Sequence, residues 1–259
     1  MTIRALLFDV DGTIADTEEA HRLAFNDAFG AEGLPYRWDA PTYLDLLKVT
    51  GGKERLASFF DGFALSDTER RRLDARIPAI HQAKNERYAE LVEMGAAPLR
   101  AGVVRLFDEA AHAGIRLGIA TTTSPANVSV LLETALGPRA LSRFAVVASG
   151  DAVRAKKPAP DIYELALFEL GLPADDVVAF EDSENGLVSA KTTGLFTVVT
   201  PTRWTSMQDF SAADLLVPSL GDETEPFAAD LAERLGHPFV TLDILLRTHD
   251  KWRSGRTAS

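Results

Sequence analysis

The chain has 259 residues, of which 46% are hydrophobic and 25% are charged, and its formal net charge is −11 at pH 7. This balance is typical of a soluble globular protein with one large or two small domains, and the acidic charge disfavours nucleic acids and anionic membranes as partners. The lack of cysteine excludes disulfides, thiol catalysis and thiolate metal sites, and the lack of an apolar stretch long enough for a membrane span or signal peptide predicts a cytoplasmic protein.

The first predicted element is a strand over Ala5–Phe8. These residues are all apolar, which is typical of a strand buried on both faces in a parallel sheet. The strand runs directly into Asp9 and Asp11, whose side chains point the same way because alternate residues of an extended chain share a face. Gly12 then allows a tight turn, and Thr13 adds a hydroxyl beside the pair. Taken alone, this motif fits a ligand site or an acidic surface turn equally well.

The chain between residues 16 and 95 is predicted to be helical. Residues 16–29 carry the apolar stripe of an amphipathic helix, Ser66–Glu69 resembles a capping box, and Pro78 should start, bend or interrupt a helix. Because no strand pattern occurs in this region, we expect a small helical domain inserted into an α/β domain. The predicted boundaries are 1–16 and 96–259 for the α/β core, and 17–95 for the helical domain.

Beyond Pro98 the predicted strands and helices alternate. The strands are expected at 115–120, 144–148, 177–180, 196–200 and 215–217. The helices are expected at 103–113, 126–136, 161–170, 183–193, 226–235 and 242–252, followed by a frayed tail at 254–259. Short strands separated by helices imply right-handed crossovers, so we predict a Rossmann-like parallel sheet flanked by helices, with the α-helical domain inserted after its first strand.

Polar residues also follow three of the later strands. Thr121 and Thr122 precede a helix, where hydroxyl and backbone N–H groups favour an anion. Lys157 follows the next strand, and Glu181 and Asp182 follow the one after it. Each group has a simpler explanation alone, as a helix cap, a solvated lysine or a surface turn. Together they place acids, hydroxyls and an ammonium group at one sheet edge, a set that suits Mg²⁺ and a phosphoryl group.

This set of side chains predicts an enzyme that first transfers the phosphoryl group of its substrate to one of its own residues. With Mg²⁺ screening the repulsion, Asp9 is the expected nucleophile and would form an aspartyl-phosphate. Asp11 is the expected acid and base, which protonates the departing oxygen and then takes a proton from the hydrolytic water.

The same residues resemble the haloacid dehalogenase superfamily of phosphatases. Asp9-Val10-Asp11-Gly12-Thr13, Thr121, Lys157 and Glu181-Asp182 look like its four motifs, in order, over roughly residues 3–220. The resemblance implies that Asp9 is the nucleophile, Asp11 the acid/base, and Thr121 and Lys157 the phosphoryl-binding residues. It also implies Mg²⁺ held by Asp9, the backbone carbonyl of Asp11 and Asp182, with direct ligation by Glu181 left open. The helical domain occupies the position of the family's mobile cap.

Within the superfamily, the chain is similar to the branch that contains β-phosphoglucomutase and phosphoglycolate phosphatase. Asp16-Thr17-Glu18 with His21, residues 50–54 and Lys84-Asn85 look most like CbbY-type phosphatases of photosynthetic and carbon-fixing bacteria. The resemblance implies a small phosphorylated sugar as substrate. It points specifically to xylulose-1,5-bisphosphate, an inhibitory by-product of Rubisco.

Several residues of the helical domain are candidates for binding this substrate. Lys53 and Lys84 are available for a second phosphate, and Thr17, Glu18 and His21 for hydrogen bonds. Each also has a simpler explanation on a solvated or packed helix face. A mutase, a phosphoglycolate phosphatase and a non-catalytic phosphosugar sensor remain as alternatives. The expected protein is a monomer whose partner is its sugar phosphate.

Overall fold

The computed structural model describes residues 3–257 and contains one six-stranded parallel sheet in the order β3-β2-β1-β4-β5-β6. The strands are β1 (Ala5–Phe8), β2 (Arg116–Ala120), β3 (Phe144–Ala148), β4 (Val177–Glu181), β5 (Phe196–Val199) and β6 (Leu215–Leu216). β1 lies at the centre and pairs in parallel with β2 and β4. The chain leaves β1 towards β2 on one side and reaches β4 on the other. Such a reversal of strand order opens a crevice at the carboxyl ends of the strands.

Helices flank this sheet, which confirms the predicted α/β class. Six lie between β1 and β2, and the first five of them are α1 (Glu18–Ala31), α2 (Ala40–Leu46), α3 (Gly52–Asp61), α4 (Asp67–Asp74) and α5 (Ile77–Glu93). The remaining helices are α6 (Val103–His112), α7 (Pro125–Leu136), α8 (Asp161–Leu170), α9 (Glu184–Thr192), α10 (Ala229–Leu235) and α11 (Leu242–Thr257). Ser66 forms the predicted capping box with Glu69 at the start of α4, and Pro78 lies in the first turn of α5. We call α1–α5 and their connecting loops, residues 18–95, the helical block.

The sheet is buried on both faces because β1 contributes alternate side chains to two apolar clusters. Leu6 and Phe8 pack with residues of α6, α7 and α11, whereas Ala5 and Leu7 pack with residues of α8 and α9. This double burial explains why the sequence of β1 is continuously apolar instead of alternating.

The helical block has an apolar centre of its own. Phe25, Trp38, Tyr43 and Phe60 belong to this cluster, and Trp204, from the loop after β5, packs into it from the α/β core. The opposite sides of α1 and α5 pack against the main core cluster. The block is therefore a distinct layer that rests on the carboxyl edge of the sheet.

The carboxyl-terminal helix is longer than predicted. We expected a frayed tail from residue 254, but α11 continues to Thr257. Its last turns are anchored because Arg253 donates to the carbonyl of Asp175, at 3.0 Å, and Arg256 donates to the carbonyl of Gly194, at 3.3 Å. Residues 258–259 lie outside the described chain. Among residues 3–257, no helix is both long enough and apolar enough to cross a membrane.

Candidate active site

A cleft between the carboxyl edge of the sheet and the helical block brings together most of the predicted site residues. From the sheet edge it is lined by Asp9, Asp11, Thr122, Lys157 and Asp182, and from the helical block by Glu18, His21, Lys53 and Lys84. Glu181, Thr121 and Thr17 are buried directly beside this surface without lining it. Thr13 differs from our expectation: its hydroxyl is buried without a partner, outside the cleft lining.

Lys157 is the central cation of the site. Its ammonium group is buried and lies 2.7 Å from Asp9 Oδ1, 2.6 Å from Glu181 Oε1 and 2.9 Å from the carbonyl oxygen of Ala120. Burial alone would lower the pKa of Lys157, but the charges and hydrogen bonds of the two carboxylates raise it. Lys157 therefore stays protonated and directs one fixed positive charge at Asp9.

The carboxylates around Lys157 outnumber it. One oxygen each of Asp9, Glu181 and Asp182 lies within 4.8 Å of the other two. Burial is the main cause that raises the pKa of Asp9 to about 7, and Glu181 and Asp11 raise it further while Lys157 opposes the shift. Burial and the charges of Asp9 and Glu181 likewise raise the pKa of Asp182. The protein groups of the site therefore carry more negative than positive charge.

These three acids fit a hard divalent cation. Glu181 Oε1 accepts hydrogen bonds from Lys157 and from Tyr163, at 2.6 Å each, but Glu181 Oε2 is buried without a partner. Carboxylate oxygens with room for water are the ligands that Mg²⁺ prefers. Asp9, Asp182 and the unpaired oxygen of Glu181 are the residues that would hold it.

Asp11 lies in a different environment from Asp9. It accepts hydrogen bonds from the hydroxyl of Thr17 at 2.7 Å, from His21 Nε2 at 2.9 Å and from the hydroxyl of Thr123. Burial would raise the pKa of Asp11, but these three groups hold it well below its usual range. The pKa values of two neighbouring carboxylates are therefore shifted in opposite directions, a pattern typical of paired catalytic acids.

The loop after β2 supplies hydroxyl groups to the same place. Thr121 is buried, and its hydroxyl accepts a hydrogen bond from the backbone N–H of Thr123 at 3.3 Å. Thr122, Thr123 and Ser124 line the cleft, and Ser124 caps α7. The hydroxyl-rich start of α7 thus faces the carboxylates, which suits an incoming anion.

The helical block places two lysines in the cleft in contrasting settings. The ammonium group of Lys84 is buried and lies 5.3 Å from the ring centre of Phe25 and 5.0 Å from that of Tyr88. Burial lowers the pKa of Lys84 to about 8. Lys53, at the start of α3, is exposed at the mouth of the cleft. Both lysines therefore line the cleft from the side of the helical block.

Thr17, Glu18 and His21 have protein partners in this structure. Thr17 and His21 contact Asp11, and Glu18 accepts a hydrogen bond of 2.6 Å from the hydroxyl of Tyr43. Their predicted hydrogen bonds to substrate stay predictions. The contacts show that α1 helps to fix the position of Asp11.

Sequence reasoning missed several residues that support this site. Thr123 bonds Asp11, Tyr163 bonds Glu181, and the guanidinium group of Arg100 donates to the carbonyl of Gly12 and, at 2.8 Å, to the hydroxyl of Thr200. The run of three threonines offered a signal for Thr123. Arg100 and Tyr163 offered none, because their partners are distant along the chain.

Gly186 tests whether the position of Glu181 matters. A Cβ atom at this position of α9 would lie 1.9 Å from Glu181 Oε2, so Gly186→Ala must displace a carboxylate held by Lys157 and Tyr163. We expect about 10²-fold lower kcat/KM, since a displacement of about 1 Å can cost that much. The control is Gly30→Ala in α1, where nothing lies within 4 Å and the alanine should stabilise the helix with activity unchanged. Equal activity of both variants would contradict a role for Glu181.

The raised pKa of Asp9 predicts how stability depends on pH without metal. Its value rises from 3.8 to about 7 on folding, so between these pH values the folded protein binds more protons than the unfolded chain. The stability that this group contributes is therefore present below pH 4 and lost as pH rises through 7. In EDTA, we expect the free energy of unfolding to fall more steeply from pH 5 to 8 in the wild type than in Asp9→Asn. Parallel curves from denaturant titrations would contradict the shift.

A buried aspartate opposed by a fixed lysine, beside a second carboxylate and an acidic cluster, defines an enzyme of phosphoryl transfer. Residues 3–194 match the haloacid dehalogenase-like hydrolase family model, and the chain belongs to that family. Protein CbbY of Cupriavidus necator is 48% identical, with 86% of this chain and 88% of the relative covered. Protein CbbY of Rhodobacter capsulatus is 47% identical, with 85% and 95% covered.

Solved structures give the same result. The crystal structure of CbbY from Rhodobacter sphaeroides in complex with phosphate has a TM-score of 0.77 at 47% identity, covering 84% of this chain and 94% of that one. A mutant of that protein in complex with xylulose-(1,5)bisphosphate has a TM-score of 0.77 at 45% identity, covering 86% and 98%. These relatives confirm the resemblance seen in the four motifs, and the chain is a phosphatase of the haloacid dehalogenase-like family.

Proposed function

We propose that this phosphatase is Mg²⁺-dependent and hydrolyses a sugar bisphosphate, with xylulose-1,5-bisphosphate as its substrate. The observation that carries the proposal is the cleft itself. One wall has Asp9 held by Lys157 beside an acidic cluster, and the other wall presents Lys53 and Lys84. A substrate with a phosphate at each end matches a site with cationic groups on both walls. The ligand of the related CbbY structure has this form.

Asp9 is the proposed nucleophile. A carboxylate oxygen of Asp9 attacks phosphorus, the bond between phosphorus and the sugar oxygen breaks, and an aspartyl-phosphate forms. Lys157 is 2.7 Å from Asp9 and remains charged, so it stabilises the phosphoryl oxygens as negative charge spreads over them. The chemistry that Mg²⁺ supplies when bound is screening of the carboxylates from the anionic substrate.

Asp11 is the proposed acid and base. Its hydrogen bonds keep it ionised in the ligand-free protein, which is the form that takes a proton from the hydrolytic water. To act first as an acid it must gain a proton from solvent, and the negative charge of an arriving phosphate favours this because it raises the pKa of Asp11. It then protonates the departing sugar oxygen. Asp11 then takes a proton from a water molecule whose oxygen attacks phosphorus, the bond between phosphorus and Asp9 breaks, and inorganic phosphate departs with the Asp9 carboxylate restored.

Residues 17–95 are the proposed cap, and 1–16 with 96–259 the catalytic core. The cap carries Lys53 and Lys84, which we assign to the phosphate that is not cleaved. It also carries Thr17, Glu18 and His21, which we assign to the sugar hydroxyls. In this role the enzyme would act as a monomer in the cytoplasm and remove an inhibitor of Rubisco.

Replacement of either cap lysine should affect a bisphosphate selectively. For Lys53→Ala or Lys84→Ala we expect KM for xylulose-1,5-bisphosphate to rise about 10-fold or more, because a charge-assisted contact is worth roughly 1.5–3 kcal/mol. KM for a small monophosphate should change by less than about 3-fold. Arg72→Ala, an exposed position of α4, is the matched control and should change neither. Equal effects on both substrates would show that the lysines contribute only a general positive electrostatic potential in the cleft.

The decisive test of the function is phosphate release by the purified protein. We expect xylulose-1,5-bisphosphate to be hydrolysed with Mg²⁺ and not with EDTA. It should be preferred over 2-phosphoglycolate and β-glucose 1-phosphate in the same assay. Preference for 2-phosphoglycolate would assign the chain to the phosphoglycolate phosphatases.

Two other outcomes would support rival functions. Isomerised sugar phosphate without free phosphate would indicate a mutase, in which the cap excludes water until the phosphoryl group returns to sugar. Binding without turnover would indicate a phosphosugar sensor. The adjacent carboxylates argue against a sensor, since without a cation they would repel its anionic ligand.

A further inference from the structure

Two asparagines of the α/β core reach across the cleft to the helical block. Asn185 Nδ2, at the start of α9, donates to the carbonyl of Lys48 and to the hydroxyl of Thr50, at 3.0 Å each. Asn127 Nδ2, at the start of α7, donates to Asn85 Oδ1 of α5 at 3.1 Å. Because α7 and α9 cover opposite faces of the sheet, the two bonds hold the block from two sides.

Neither side-chain amide is used to build its own helix. Ser183 caps α9 by accepting from the backbone N–H of Gly186 at 3.2 Å, and Ser124 caps α7 in the same way. Among the described residues, both asparagine side chains therefore donate their hydrogen bonds to the helical block and not to their own helices. Their loss leaves the capping bonds of both helices in place.

Each of these contacts lies beside one of the cap lysines. Thr50 begins the loop that leads to Lys53, and Asn85 is the neighbour of Lys84. The two contact points are also joined inside the block. Asn85 Nδ2 lies 3.4 Å from His81 Nδ1, and the ring of His81 packs so closely on Gly52 that a Cβ atom there would lie 2.7 Å from His81 Nε2. The contacts thus bound one continuous wall of the cleft.

From this geometry we propose that Asn185 and Asn127 are positioning residues that latch the helical block closed before substrate arrives and hold both lysines towards Asp9. The assignment of the lysines to a substrate phosphate rests on the proposed function, but the latch does not. Each hydrogen bond should favour the closed arrangement by about 2- to 10-fold. The packing of Trp204 into the block cluster remains when they are lost, so a single replacement weakens closure without abolishing it.

The test compares Asn185→Ala, Asn127→Ala and the double variant with the wild type. Hydrogen exchange of the ligand-free protein, read by mass spectrometry, should rise about 2- to 10-fold in residues 47–56 for Asn185→Ala and in 81–88 for Asn127→Ala. Exchange in α6 should stay the same. KM for a sugar bisphosphate should rise by a similar factor with kcat unchanged or higher, since opening releases product. The effects of the two replacements on KM should multiply.

Thr50 provides a matched pair of variants. Thr50→Val keeps the shape but cannot accept from Asn185, whereas Thr50→Ser keeps the acceptor. We expect Thr50→Val to increase exchange in residues 47–56 and Thr50→Ser to leave it close to the wild-type rate. Equal behaviour of the two variants would overturn the latch on this side.

Other outcomes would also overturn the proposal. Unchanged exchange in both asparagine variants would show that the bonds do not hold the block. Exchange that rises equally in β4, α8 and α6, together with lower kcat, would show a scaffold role in the core. Because exchange is measured without substrate, these outcomes are independent of whether the protein hydrolyses a bisphosphate.

Discussion

Asp9→Asn is expected to reduce kcat by at least about 10³-fold, because the amide cannot form the aspartyl-phosphate and removal of a nucleophile has effects of this size or larger. The fold should persist. Asparagine has the same shape, it removes repulsion from Glu181 and Asp182, and Lys157 keeps its bond to Glu181. The measurement is single-turnover phosphate release combined with thermal unfolding.

The control for this variant is Asp243→Asn, an exposed position of α11 whose ion pair with Arg247 is open to solvent and therefore contributes little to stability. It makes the same chemical change far from the cleft and should leave kcat and the melting temperature unaltered. An Asp9→Asn enzyme that turns over at more than about one tenth of the wild-type rate would remove Asp9 as the nucleophile.

Lys157→Met should have the second largest effect and, unlike Asp9→Asn, should destabilise the protein. Its ammonium group bonds both Asp9 and Glu181 in a buried site. Breaking such a pair from one side leaves uncompensated charge and costs about 3–5 kcal/mol. The loss should be smaller at pH 5.5 than at pH 8 in EDTA, because Asp9 can take up a proton: its pKa is about 7 with Lys157 in place, and removal of that opposing charge raises it further. We expect kcat to fall by about 10²- to 10³-fold.

The measurements for Lys157→Met are denaturant unfolding at both pH values and turnover with saturating substrate. Lys251→Met, an exposed position of α11, is the control and should match the wild type in both. Loss of activity with no change in stability at pH 8 would show that the charges of Asp9 and Glu181 are compensated by another group.

The sheet and its catalytic edge could be predicted because both are encoded locally. Continuous apolar runs mark strands buried on two faces, and β2–β5 were predicted to within one residue at either end. The carboxyl ends of parallel strands meet at one edge, so the polar residues after β1 and β4 had to lie close together. Asp9 and Asp182 are together for this reason.

Contacts between distant segments could not be predicted in the same way. The anchoring of α11 by Arg253 and Arg256 depends on carbonyls that precede β4 and β5. The bond from Asn185 to Thr50 joins residues 135 positions apart. A single polar residue on a helix looks the same in sequence whether it meets water or another domain.

The location of Trp204 gives the molecule a built-in optical reporter. This side chain belongs to the loop after β5, yet it is only 5% exposed because it packs into the cluster of the helical block, with its ring edge-on to Tyr43. The other two tryptophans, Trp38 and Trp252, lie inside the block cluster and on α11. Separation of the helical block from the α/β core would expose the indole of Trp204 to solvent first. The wavelength and quenching of its emission would therefore report movement of the helical block in real time, without an attached dye.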